Sequence, residues 1–297
     1  MKRGLKVFWI VCASIFLLGI SFVVTGAALG ADLGNVTQRI GWFQGQNFTG
    51  MIPRTDQQML DSTLLEGTQN LSIDIDALMV RIETTSGSNV EIDKNGLSSE
   101  LQDALQVTET AEELQISLRQ NTRRRVIGLF GTRNRNEELV IRIPQNHTFA
   151  KATIQLGAGH MIIDQLLADQ VDLMVGAGRL EVQYLEATDL MLDVGAGEAV
   201  ISNVYAVNAR IEGGVGRISV RGEVSNHLYM NNGIGETTFI ALGVETDYNY
   251  NISTGIGEVI IGTRRYSGLG NSTIVDHNAS RSMEIRNGIG KVSVLFD

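Results

Sequence analysis

With 297 residues, 33 acidic against 24 basic side chains and a net charge of −9, the chain lacks the general basic field that nucleic-acid binding needs. Its one cysteine, Cys12, sits in an apolar N-terminal stretch, so the remainder can form neither disulfides nor thiolate zinc sites and must rely on a large core. Pro53 and Pro144 are its two prolines, which suits a fold rich in strand ladders.

Residues 1–6 carry Lys2, Arg3 and Lys6, and the 24 residues from Val7 to Gly30 hold no charge. That length crosses a bilayer core of ~30 Å as a helix. The basic flank then places residues 1–6 in the cytoplasm as a short tail and sends the rest outside. The expectation is a single-pass cell-membrane protein with one N-terminal transmembrane helix at 7–30, anchored in lipid, and an extracytoplasmic C-terminal domain. A cleavable signal peptide is the alternative, because Ala28-Leu29-Gly30 before Ala31 forms a small-residue cleavage site. Val11 before Cys12 speaks against a lipoprotein signal.

Residues 31–69 read as a stalk or linker with a helical turn near Gln57–Leu65. From residue 70 the pattern changes: LSIDIDALMVRIETTSGSNVEID alternates apolar and polar positions, and ELQISLR (113–119) and ELVIRIP (138–144) do the same. Between the last two lies an Arg-rich loop, 119–138. It holds Arg119, Arg123, Arg124, Arg125, Arg133 and Arg135 around an apolar tip, Val126 to Gly131, that includes Phe130. Basic residues around an apolar tip suit an anionic membrane surface or an anionic wall polymer. The plainer reading is a hairpin whose tip folds back on the domain while the arginines stay solvated.

Gly-x-Gly dyads dominate the second half. Gly157/Gly159, Gly176/Gly178, Gly195/Gly197, Gly214/Gly216 and Gly233/Gly235 fall at a pitch of 19 residues, and Gly255/Gly257 and Gly288/Gly290 follow at looser spacing. A fixed period of this size marks stacked structural repeats. Counting from each first glycine, positions five and seven are apolar (Met161/Ile163, Leu180/Val182), as are positions fifteen and seventeen (Val171/Leu173, Leu190/Leu192). Apolar residues two apart have the period of a half-buried strand. The expectation for residues 70–297 is therefore an all-β, parallel β-solenoid of two strands per coil, with glycine at the tight corners and KVSVLFD closing the stack. The residue after each dyad is polar: His160, Arg179, Glu198, Arg217, Glu236, Glu258 and Lys291. Stacked on one face, these form a solvated ladder that fixes register.

Chemistry-bearing patterns are sparse. No dyad extends to G-x-G-x-x-G, no P-loop or G-x-S-x-G elbow occurs, and His147, His160, His227 and His277 lack metal-ligand spacing. Asp164, Asp172, Glu181, Asp189, Asp193 and Glu198 fall on neighbouring coils, where a pair could serve a glycosidase, but they occupy different columns. Neither catalytic residues nor a cofactor or metal site is expected.

LSIDIDALMVRIE, LVIRIP ending at Pro144 and the serial dyads from Gly157 onward together resemble the bacterial "putative adhesin" family of unknown function, over roughly residues 70–297. The resemblance implies a membrane-anchored solenoid and an envelope-stress or regulatory setting, and it carries no catalytic or binding residues across. The reading is a non-enzymatic envelope protein presenting its solenoid for adhesion, wall or polymer contact, or stress sensing. Its partners would be membrane lipid and an anionic wall polymer or another envelope protein. The alternatives are a carbohydrate-active β-helix enzyme and a membrane-bound regulatory partner of a sensor.

Overall fold

The computed structural model describes residues 60–62, 70–119, 137–267 and 270–297, and these are almost entirely strand. The predicted anchor at 7–30 lies outside the described residues. Among those described, no helix is long and apolar enough to cross a membrane.

The strands in chain order are β1 (Leu60–Ser62), β2 (Asn70–Thr85), β3 (Val90–Asp93), β4 (Leu105–Glu109), β5 (Glu113–Leu118), β6 (Glu138–Pro144), β7 (Phe149–Val194), β8 (Glu198–Ala241), β9 (Tyr248–Ile261), β10 (Arg264–Ser267), β11 (Asn271–Val275) and β12 (Arg281–Phe296). A short helix, α1 (Ser99–Ala104), precedes β4. Where a helical turn was expected, Leu60–Ser62 instead pairs antiparallel with β3. The lengths of β7 and β8 reflect coils whose ladders do not lapse at the corners, so each strand runs on around the stack.

Parallel pairing at one-coil offset builds the stack. Arg179 pairs with Glu198 and Leu190 with Ala209, a shift of 19 residues, and successive rungs lie ~4.8 Å apart. The predicted inward positions are buried, among them Met161, Ile163, Val171, Leu173, Leu180, Val182, Leu190 and Leu192. Two strands per coil is an undercount, however. Positions ten and twelve also point inward as Leu166/Ala168, Leu185/Ala187 and Val204/Ala206, and Leu185 to Ala187 ladders onto Val204 to Ala206. Each coil thus closes its core with a third side. The small alanines there had masked its period-two pattern.

Sequence order and spatial order part company at the C-terminal end. β12 pairs parallel with β8 on one edge, Gly290 against Gly235, and with β9 on the other, Gly290 against Gly257. KVSVLFD is therefore an interior rung and does not close the stack. β9 lies beyond it, and its free edge is covered by β11 on one wall and β10 on the other, both antiparallel. The opposite end is built alike. β5 and β6 share the rung above β2, β4 runs antiparallel to β5, and β3 antiparallel to β6. Antiparallel strands at both ends stop the parallel ladder from continuing into a neighbouring chain.

Candidate functional site

The expected contact residues fall, in sequence, between the two strands of the split rung. β5 ends with Leu118 opposite Ile75, and β6 begins with Glu138 opposite Met79. On the next rung Ala77 and Leu78 turn the same corner opposite Ala158 and Gly159. The break between β5 and β6 thus falls at the glycine corner, at one end of the stack. Arg119, directly after β5, is already engaged: its Nη2 and Nε donate to Asp74 Oδ2 at 2.7 and 3.0 Å. Arg123, Arg124, Arg125, Phe130, Arg133 and Arg135 lie outside the described residues.

Along that corner the polar residues after each dyad form one continuous column. Its spatial order is His160, Arg179, Glu198, Arg217, Glu236, Lys291, Glu258, because β12 lies between β8 and β9. In chain order Glu236 and Glu258 would be neighbours; the inserted rung sets Lys291 between them. The column is knitted by ion pairs, Arg179–Glu198 at 2.8 Å, Arg217–Glu198 at 3.7 Å and Lys291–Glu236 at 3.9 Å, and Arg265 reaches Glu258 at 2.8 Å. At the other end Glu181 accepts from Arg179 at 2.6 Å and meets His160 Nε2 at 2.9 Å. The hydrogen bond from Arg179 holds the Glu181 carboxyl below its ordinary range. The column's ion pairs join neighbouring rungs, and the sequence reading assigns it a register-setting role.

The residue between the two glycines stands at the apex of the corner. In the coils nearest β2 it is Ala158, Ala177 and Ala196, with Ala77 of β2 in register with Ala158; farther along it becomes Val215, Ile234, Ile289 and Ile256. Ile289 pairs with Ile234 on one side and Ile256 on the other. These four aliphatics are 54, 50, 49 and 62% exposed in the order Val215, Ile234, Ile289, Ile256. They form a ridge one side chain wide.

Directly beneath, the inward residue two positions before each apex changes in the opposite sense. Leu156, Val175 and Val194 are buried in the alanine-tipped coils; Asn232, Asn287 and Thr254 are buried under the isoleucines. Asn232 Nδ2 donates to Asn287 Oδ1 at 2.8 Å, Thr237 Oγ1 donates to Asn232 Oδ1 at 3.2 Å, and Asn287 Nδ2 donates to the Glu258 and Gly290 carbonyls at 3.1 Å. Polar groups inside and branched aliphatics outside invert the normal partition of a corner. Sequence reasoning passed over this ridge. The signal was present in the change from GAG to GVG and GIG, with Gly, Asn or Thr replacing Leu or Val just before the dyad.

The other faces offer open grooves. One of about 410 Å3 runs along the third side past Leu167, Glu186, Tyr205 and Glu223. Another of about 650 Å3 passes Asp172, Asp189, Met191, Arg210, Tyr229 and Arg286. Arg210 stacks over the Tyr229 ring at 4.2 Å, and Arg286 lies 5.5 Å from the same ring. The carboxylates weighed for a glycosidase pair are largely committed elsewhere. Asp172 takes Lys151 at 2.8 Å, Asp189 accepts from Asn208 at 2.9 Å, and Glu181 and Glu198 belong to the charged column. Nothing here supports the enzyme alternative. Among the described residues no group of three or more His, Cys, Asp or Glu side chains could hold a metal ion.

Residues 68–255 match the Toastrack DUF4097 family. No curated protein matches the chain. Among solved structures, a "putative cell adhesion protein" from Clostridium sporogenes ATCC 15579 is similar at 13% identity, covering 82% of this chain and 99% of its own, with a TM-score of 0.39. A "putative adhesin" from Bacteroides fragilis NCTC 9343 is similar at 11% identity, covering 83% of this chain and 100% of its own, also with a TM-score of 0.39.

Proposed function

This chain belongs to the Toastrack DUF4097 family, and we propose on that premise that it is an adhesin-like contact protein of the cell envelope. In this reading the apolar segment at 7–30 anchors it in the cytoplasmic membrane with residues 1–6 inside. The stacked coils then stand outside as a stiff β-solenoid-like platform. The platform engages an anionic surface or wall polymer through Arg123, Arg124, Arg125, Arg133 and Arg135, with Phe130 at the apolar tip.

The observation that supports the reading is the break between β5 and β6. The rung of β2 turns the glycine corner with Asp76, Ala77 and Leu78, whereas on the neighbouring rung β5 ends opposite Ile75 and β6 begins opposite Met79, with 19 residues of sequence between them. A register-driven stack has no local need for so long a connection, and long insertions on a rigid scaffold are the usual seat of binding. Arg119 is left out of the contact set because Asp74 already neutralises it. Open grooves and repeated outward columns also suit an extended partner better than an enclosed small molecule.

The test is co-sedimentation of residues 31–297 with isolated wall sacculi and, separately, with anionic liposomes, beside a variant carrying Arg123→Ser, Arg124→Ser and Arg125→Ser. The expected outcome is binding to one of the two that the triple change weakens by roughly tenfold or more, each arginine near an anionic surface contributing ~1 kcal/mol. Equal sedimentation of both proteins, or of neither, refutes the loop as the contact element.

A further inference from the structure

The aliphatic ridge lies several rungs from the ends of β5 and β6 and stands on different observations. Val215, Ile234, Ile289 and Ile256 occupy consecutive rungs, each about half exposed or more. The fold does not require large side chains at these sites, since Ala158, Ala177 and Ala196 hold the equivalent apices on the same column. A straight row of branched aliphatics kept outside, above an interior that holds asparagine, marks a surface made to be covered.

The charges flanking the ridge identify what covers it. Two residues after each apex stand Arg217, Glu236, Lys291 and Glu258; three residues before each stand Glu212, Asn231, Arg286 and Ser253. Consider a second copy turned end for end about a two-fold axis that passes between the rungs of Ile234 and Ile289. Val215 then meets Ile256 of the other copy, and Ile234 meets Ile289. On one flank Arg217 comes opposite Glu258 and Glu236 opposite Lys291, so every charge faces its opposite. On the other flank Glu212 faces Ser253 and Asn231 faces Arg286, with no like pair. Setting the two copies side by side in the same direction places Lys291 against Arg286 instead. A lipid surface fits less well, because Glu212, Glu236 and Glu258 border the ridge.

We infer that the glycine-corner ridge is a self-association surface, pairing two copies of this chain antiparallel through Val215, Ile234, Ile289 and Ile256. Closed two-fold pairing uses the same patch twice and ends with the dimer. The ridge is narrow beside the ~800 Å2 per partner of a standard interface, so the pairing is weak and depends on concentration.

Sedimentation equilibrium of the full chain in density-matched detergent, from micromolar to millimolar protein, tests it beside the quadruple variant Val215→Ala, Ile234→Ala, Ile289→Ala, Ile256→Ala. Both share the N-terminal segment, so any difference belongs to the ridge. The wild type should dimerise with a dissociation constant of roughly 10⁻⁴ M, and the variant should bind at least tenfold more weakly. Direction is read by oxidative cross-linking in a Cys12→Ser background. Val215→Cys mixed with Ile256→Cys should give a heterodimer, while Val215→Cys alone should not cross-link. A monomeric wild type, equal association of both proteins, or efficient Val215→Cys homodimers would overturn the antiparallel ridge. Ridge-dependent binding to vesicles without self-association would overturn it in favour of lipid.

Discussion

The coils nearest β2 and those around β12 turn the same corner on the same Gly-x-Gly dyads, yet partition polarity in opposite ways. In the first set the apex is alanine and the residue beneath it is Leu156, Val175 or Val194. In the second the apex is valine or isoleucine, and the interior holds Asn232, Asn287 and Thr254. Backbone geometry and side-chain polarity are therefore separable at this corner. The glycines decide that the chain turns. The residues between and before them decide whether the turn is closed by apolar packing from within, or by an amide network within and a partner without.

The largest effect should come from breaking what both regions share. At Gly216, with φ +153°, an added Cβ would lie 1.9 Å from the carbonyl oxygen of Gly197, and at Gly235, with φ +146°, 2.0 Å from that of Gly216. Neither neighbour can move without opening the ladder. Gly216→Ala should cost about 4 kcal/mol of unfolding free energy in a urea titration. A loss below about 1 kcal/mol would mean that the corner can relax after all.

The inverted interior is the next place to press. Asn232→Ala removes the acceptor of Thr237 Oγ1 and the donor to Asn287 Oδ1 in a buried site. It should cost about 2 kcal/mol. Replacing Asn232 and Asn287 together by Val, which imitates Val175 and Val194, should recover part of that loss, because both ends of the bond are then removed. If the double change proved worse than the single one, the contrast between the two interiors would not rest on the amide network.

The smallest effect belongs to the charged column. Glu181 titrates below the ordinary carboxylate range in the folded chain because Arg179 and His160 bond its charged form. A depressed folded value means its contribution is present above the unfolded carboxylate range and is lost as pH falls through the folded value. Glu181→Gln should therefore reduce stability by less than about 1 kcal/mol at neutral pH, the pair being partly exposed. It should also flatten the acid limb of stability against pH. An unchanged acid limb, followed by circular dichroism, would show the ladder to be energetically silent.

Much of the fold was legible because its determinants are local. Inward positions such as Leu180 and Val182 declare themselves by alternation, and the dyads mark corners because a Cβ there would strike the rung beside it. The third side was not legible, since Ala168, Ala187 and Ala206 are too small to stand out from a polar background. The Arg-rich segment was noticed by its charge, and the break between its flanking strands at the glycine corner came only from the register of β5 and β6 on β2. Arg119 counted as one more cation until Asp74 appeared beside it. The exposed ridge escaped because an apolar residue between two glycines reads equally well as packing.

By itself the sequence determined the 19-residue pitch, the corner positions and the alternation that builds the core, all of which depend on residues a few positions apart. The tertiary structure decided the order of the rungs. β12 enters between β8 and β9, which seats Lys291 between Glu236 and Glu258 and leaves the edge of β9 for β10 and β11 to cover. Any rung with the right inward residues could pair with any other, so the choice falls to non-local terms: how far each connection reaches, which charges become neighbours and which edge is left to be capped.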